Sequence, residues 1–421
     1  MDGHRRLVVG MLLLATVVAC PACRRQEPPR AAAARTAADR SPRDAEATPR
    51  DDIRAAIDRS AHYLAGICDQ RGQFTYRSHL DPVVGVRRAY NELRHAGAVY
   101  ALAQYCQRSP DPAVQDAMLR GARFLRTELL APLPGNPQLL AAWLPPELEE
   151  DPGPRQSKLG GAGLALVALV NVEQVVPGST PLDELRALGR FIIFMQKSNG
   201  TFYSKFIPDT GRSDLWESEY YPGEAALGLL MLYRQDPSPS WLEPATKALH
   251  GIVLRGAANR PTLPDHWYLL AVAQMLQLPP DATQSLARDP VLAHARQICA
   301  DMVHEQMRQA DAPQIAGCFT NDGRSCPTAT RLEGLLAALT FLPADDLQLR
   351  TALRDAIADG MRFLLRCQIQ SGRHAGAFPR ILPGYPQRTD RDRLNAGEIR
   401  VDYVQHSLSA MLGFEAAFSS P

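Results

Sequence analysis

Polar, charged and aromatic residues gather at five places along this chain, each at the start of an apolar stretch. They are Tyr90, Asn91, Glu92, Arg94 and His95; Glu219, Tyr220, Tyr221 and Glu224; Asp265, His266 and Trp267; Thr330, Arg331 and Glu333; and Asp402, Tyr403, Gln405 and His406. Glu219 and Asp265 stand beside aromatics that can stack on a sugar ring, and two carboxylates flanking a saccharide bond can act as acid and as base or nucleophile. His95 offers other chemistry. With Arg94 holding a uronate carboxylate, His95, Tyr90 or Tyr220 could move the proton on the neighbouring carbon, as a lyase or epimerase must. Glu219, Asp265, His95 and Tyr220 are therefore the candidate catalytic residues. Arg94, Tyr90, Asn91, Tyr221, Glu224, His266, Trp267, Arg331, Asp402, Tyr403 and His406 are candidates for holding the substrate.

Each has a structural role that competes. Thr330-Arg-Leu-Glu333 reads as a capping box and Asp402 to Gln405 is close to one, Asp265 follows Pro264 as an N-cap would, and Glu224 fits a first helical turn after Pro222. His95 could be a core histidine, and Arg94 could pair internally with Glu92 or Glu224.

The elements that must position these groups are helical throughout. From residue 52 onward no segment sustains a period of two. Apolar or small-residue helices near 90–107, 158–175, 219–234, 265–277, 328–342 and 402–419 alternate with one-sided ones near 52–68, 113–130, 181–198, 241–256, 290–310 and 350–370. A helix apolar on every face must be surrounded by protein, whereas a one-sided helix can face water. Six inner and six outer helices predict an all-α fold, an (α/α)6 toroid over residues 51–421. An open superhelix of helix pairs is the alternative packing. Alternating helix direction would bring all six inner N-termini to one mouth, where partial positive charge and free N–H groups suit an anionic or hydroxyl-rich ligand.

Three outer helices run into a glutamine, a glycine and an aromatic: Gln70, Gly72 and Phe74; Gln196, Gly200 and Phe202; Gln370, Gly376 and Phe378. These turns resemble those of terpenoid cyclase and prenyltransferase toroids. The acid motif of squalene-type cyclases and the zinc ligands of prenyltransferases and lanthionine cyclases are missing. What remains resembles the carbohydrate-processing toroids, namely six-hairpin glycosidases and polysaccharide lyases. Trp216 to Ala226, with Asp402, Tyr403 and His406, is also similar to the α/α domain of glucuronyl C5-epimerases. The resemblance implies an enzyme that hydrolyses, eliminates or epimerises a carbohydrate, an acidic glycan included. A non-catalytic binding or scaffold protein of the envelope, or a cyclase for apolar substrates, are the rivals.

Arg5 and Arg6 precede an apolar run, Leu7 to Ala19, too short to span a bilayer permanently but suited to an export signal. The run ends Val17-Val18-Ala19-Cys20, which resembles a bacterial lipobox with Cys20 as the lipidated residue. Residues 1–19 then read as signal peptide and 20–50, without aromatics or apolar periodicity, as a tether. No Asp follows Cys20, so the resemblance implies a lipid-anchored, periplasm-facing protein of the outer membrane.

In that compartment six further cysteines invite disulfides, and Cys318 with Cys326 closes the shortest loop. No close Cys/His spacing suggests a structural metal, and Gly160-Gly161-Ala162-Gly163 lacks the Lys-Ser/Thr of a phosphate loop, so no cofactor is expected. The balance of 46 Lys+Arg against 45 Asp+Glu argues against nucleic acid as a partner, since phosphate binding needs clustered positive charge.

Overall fold

The computed structural model describes residues 50–418, apart from 88, 146–147, 149–152, 257–260, 280–287, 309–311 and 388. The expected signal peptide, tether and lipid-bearing Cys20 lie outside the described residues. Six inner helices form a closed ring: α2 (Glu92–Cys106), α4 (Leu159–Val175), α6 (Tyr221–Gln235), α8 (His266–Leu276), α10 (Ser325–Leu339) and α13 (Val401–Phe418). Each packs on the next, and α13 returns to α2. Around them stand α1 (Arg50–Gly66), α3 (Pro112–Phe124), α5 (Leu182–Phe194), α7 (Pro239–Gly256), α9 (Arg288–Arg308) and α11 (Leu347–Cys367), each wedged between two neighbouring inner helices. The fold is therefore the expected (α/α)6 toroid.

Composition explains the two rings. In α4 every residue from Leu159 to Val172 is buried, as an inner helix apolar on all faces requires, whereas α3 and α11 bury one stripe of Val, Leu, Ile, Met and Phe. Asp111 starts α3 by accepting from the N–H groups of Ala113 and Val114, with Pro112 in the first turn.

The glycine turns close the outer ring. Gly72 has φ +94° and Gly376 φ +89°, and a Cβ on either would sit about 2 Å from a carbonyl oxygen of the next outer helix, Arg120 of α3 or Arg59 of α1. Gly200 does the same beneath Lys247 of α7, and a fourth such turn, Gln314, Gly317 and Phe319 with the glycine beneath Asp359 of α11, follows the same order of residues and was not singled out in the sequence. The turn after α11 docks on α1, so the last outer helix of the ring meets the first. Gln368 seals this seam by donating to Ala56 O and Ser60 Oγ, each at 2.8 Å.

Short strands interrupt the helices ahead of several inner N-termini. β1 (Arg77–His79) pairs antiparallel with β7 (Glu398–Arg400), which leads directly into α13. β2 (Leu130–Leu133) and β3 (Asn136–Ala142) form a hairpin after a π turn at Leu125–Leu129, where an unbroken outer helix to residue 130 was expected. β4 (Ser157–Lys158), β5 (Lys205–Ile207) and β6 (Gly211–Ser213) make a small sheet, β4 running into α4. A further helix of seven residues, α12 (Asp390–Ala396), precedes β7.

The expected Cys318–Cys326 disulfide is not formed; both thiols are free. Cys318 lies in the core with its sulfur 3.3 Å from Thr328 Oγ1 and 3.5 Å from Thr320 Oγ1. Cys326 sits on the first turn of α10, in the electrostatic surroundings of Asp402, Arg400, Arg94 and Glu333. Loop length made the pair look easy to close, but the helix start sends the two side chains to different surroundings. Cys68, Cys106, Cys299 and Cys367 are free as well.

Candidate active site in the toroid lumen

Small residues at the inner N-termini let polar side chains into the ring. A Cβ on Gly160 of α4 would lie 2.1 Å from Glu224 Oε2, and one on Gly334 of α10 would lie 3.2 Å from His266 Cβ. The carboxylate of α6 thus occupies space that α4 leaves by omitting a side chain, and the first turn of α8 packs closely on α10 at Gly334 for the same reason. Several of these groups are buried without a hydrogen-bond partner among the described residues: Glu92 Oε2, Ser157 Oγ, Glu224 Oε2, Asp265 Oδ2 and both ring nitrogens of His266. Buried polar atoms are normally satisfied, so this concentration at one end of the lumen is what a polar ligand would complete.

One wall is basic. Arg94 of α2 donates from Nε to Asp402 Oδ2 at 3.0 Å, and Arg400 donates to both oxygens of the same carboxylate at 2.8 and 2.6 Å. Asp402 is 4% exposed, yet a third of the Arg94 side chain remains accessible. Burial alone would raise the Asp402 pKa, but the two guanidinium groups outweigh it and hold the carboxyl well below its usual range. The partner anticipated for Arg94 was Glu92 or Glu224. Instead Glu92 pairs with Lys158 at 3.3 Å, and Glu224 makes no ion pair with either.

The adjoining wall carries groups suited to proton transfer. His266 of α8 faces His406 of α13 edge to face, ring centroids 5.2 Å apart, with Trp267 at 4.5 Å from His266 and Tyr220 at 6.4 Å. His406 Nδ1 and Glu333 Oε1 share a 2.8 Å hydrogen bond. Burial drives the His266 pKa well below that of a free imidazole, and the nearby His406 and Arg331 add to this, so its ring is neutral. Burial pushes Glu224 up to about 8 and Asp265 up to about 7; the Asp265 charge adds to the first, and the Tyr268 N–H opposes the second. Burial also raises Glu333, against the pull of His406.

The remaining candidates fall outside this cluster. His95 donates from Nε2 to Gly121 O at 2.9 Å, and its Nδ1 accepts from the Tyr90 hydroxyl at 2.7 Å, which itself accepts from Phe74 N. Both rings pack against Phe124, and His95 also against Phe74, between α2 and the outer layer, with their hydrogen bonding used up internally. Neither faces the lumen as a catalytic residue should. Glu219 is exposed, its backbone carbonyl near Arg255. Asn91 caps α2 through Arg94 N, and Asp265 caps α8 through Tyr268 N while leaving Oδ2 free. Tyr403 turns to Glu398 at 2.8 Å, and Arg331 to Glu305 at 3.2 Å. Tyr221 lies beside Glu224 and within edge-to-face range of Trp216.

Glu333 was obscured by its apparent capping box. α10 begins at Ser325, so Thr330 and Glu333 lie well inside the helix and the carboxylate caps nothing. Pro327 carried the missing signal, because proline is tolerated only in the first turn and so pins the start ahead of Thr330. Arg400 and Lys158 were missed because strand pairing, rather than local spacing, brings them to Asp402 and Glu92.

No protein-family model and no curated protein matches the chain. Solved structures do. A D-mannose isomerase aligns with TM-score 0.61 at 13% identity, covering 88% of this chain and 98% of that one. The cellobiose 2-epimerase of Spirochaeta thermophila aligns at 0.58 and 15% identity, covering 87% and 97%, and the GH76A α-1,6-mannanase of Salegentibacter at 0.57 and 13%, covering 86% and 98%. At such identities the likeness speaks for architecture alone, and in architecture the chain is an (α/α)6 toroid.

Proposed function

We propose that the protein is a carbohydrate isomerase or epimerase in which His266 and His406 exchange a proton with a carbon adjoining a sugar carbonyl. The observation that carries this reading is the facing pair of imidazoles, one buried, neutral and without a hydrogen-bond partner among the described residues, the other tied to Glu333. A neutral imidazole can take the carbon-bound proton while the C–H electrons move into the carbonyl, leaving an enediolate. Its negative oxygen would be stabilised by Arg331 or by a protonated carboxyl, and return of the proton to the opposite face or the adjacent carbon gives the epimer or the isomer. The mannose isomerase and the cellobiose epimerase among the structural neighbours support this class of reaction. Incubating the protein with D-mannose, D-glucose, cellobiose and D-glucuronate, and resolving the products by anion-exchange chromatography, tests it. New sugars of unchanged mass are expected.

Glycoside hydrolysis is a second reading, favoured by Glu224 and Asp265. With pKa values raised to about 8 and about 7, they could serve as acid and base. It is the weaker one, because the lumen carboxylate held firmly ionised, Asp402, is locked between two guanidinium groups. Shortened oligosaccharides would establish it. A scaffold role would have drawn support from Arg94 blocking the mouth by pairing with Glu92 and Glu224, and that pairing does not occur.

The proposal also places the enzyme at the bacterial envelope, lipidated on Cys20 and held to the outer membrane by the tether. Palmitate labelling and membrane fractionation, with Cys20→Ala beside the native chain, test this part separately.

A further inference from the structure

His266, Glu333 and His406 come from α8, α10 and α13, and one ligand atom from each lies within 4.8 Å of the other two. Among the described residues no other group of three or more His, Cys, Asp or Glu converges in this way. We propose that these three side chains bind a divalent transition-metal ion, zinc being best suited to the donor set, and that the ion and the sugar compete for them.

Three features point to a cation here. His266 is 4% exposed, and neither of its ring nitrogens has a hydrogen-bond partner among the described residues, so a strong donor atom lies at the site without a competing contact there. Two imidazole nitrogens and one carboxylate oxygen form a set that zinc accepts readily, at about 2.0–2.2 Å from each ligand. Closing the triangle from 4.8 Å therefore requires side-chain movement on the order of 1 Å, within what three rotatable side chains supply. A carboxyl also belongs to the set, Glu333 itself, 4% exposed and hydrogen-bonded to His406. The closest opposing cation, Arg331, already pairs with Glu305.

With three protein ligands the ion keeps open positions toward the lumen, where water or sugar hydroxyls could enter. Spacing along the chain could not reveal this site, because 67 residues separate the first ligand from the second and 73 the second from the third. An imidazole bound to metal cannot serve as a base, so occupancy would halt the proton transfer proposed above; that consequence rests on the preceding reading, whereas metal binding itself does not.

The test uses the full-length protein stripped with a chelator and titrated calorimetrically with ZnCl2, without sugar, with CoCl2 absorption as a second probe and MgCl2 as the hard-cation control. One zinc per chain is expected, with no magnesium binding. Glu333→Gln and His406→Gln should each weaken zinc by at least about 10-fold. His266→Gln guards against misfolding, since its ring makes no hydrogen bond among the described residues and its loss orphans no partner there; thermal melts verify each variant. Absence of saturable zinc binding, or native affinity in any folded variant, would overturn the proposal. Zinc binding by a protein that alters no sugar would leave this inference standing and remove the isomerase reading, and sugar conversion without zinc binding would do the reverse.

Discussion

Glu333 and His406, 73 residues apart and on different inner helices, share a hydrogen bond of 2.8 Å between nearly buried groups. The bond fixes the His406 ring opposite His266 and gives the ring an acid–base partner. Orienting a catalytic imidazole through its second nitrogen is how such rings are held ready for proton transfer. Glu333→Gln keeps the volume but removes the titratable partner. Turnover should fall by about 10²-fold with the melting temperature little changed, read from initial rates of sugar conversion beside a thermal melt.

Asp402 binds two guanidinium groups, and removing its charge leaves Arg94 and Arg400 facing each other. Asp402→Asn should cost on the order of 3 kcal/mol of stability, measured by urea denaturation at pH 7. The sign with pH follows from the depressed carboxyl. The stabilisation is complete above the ordinary Asp value and fades as pH falls through the lower folded one, so native protein and variant should converge in acid.

Glu224 behaves oppositely. Its folded pKa of about 8 lies above the ordinary carboxylate value, so between roughly 4.5 and 8 the unfolded chain has released a proton that the folded one retains. Stability is therefore lost as pH rises through that window. Glu224→Gln, neutral at every pH, should flatten the dependence and stabilise the protein at pH 8 by about a few kcal/mol, with little effect at pH 4. Urea midpoints across the range provide the check.

Ring closure depends on Gly376, whose positive φ and contact with Arg59 O leave no room for a Cβ. Gly376→Ala should cost about 2 kcal/mol or more, while Gly384→Ala, also at positive φ but in open space, should cost less. Comparing their denaturation midpoints separates the close approach from backbone strain.

The architecture was legible because hydrophobic patterning is local: α4 is apolar on all faces and α3 on one, and their alternation sets the rings. The glycine turns were legible for the same reason. The site was less so. His266, Glu224 and Asp265 stood at helix starts that the pattern located, but Glu333 was hidden by a misplaced helix boundary, and Arg94 found its partner in Asp402, 308 residues away. His95 looked equally catalytic in sequence; only packing against Phe124 decided that it faces the outer layer. Local pattern fixes which helix a residue is on, whereas the direction it faces depends on partners far along the chain.

The central claim is that the lumen histidines move a carbon-bound proton. Deuterium incorporation at C2 of D-mannose, D-glucose, cellobiose and D-glucuronate, followed by NMR in D2O with native protein, His266→Gln and His406→Gln, tests it most directly. Exchange into at least one sugar, reduced by about 10²-fold or more in both variants, is the predicted result. Cleavage without exchange, or exchange that persists in folded variants, would contradict it.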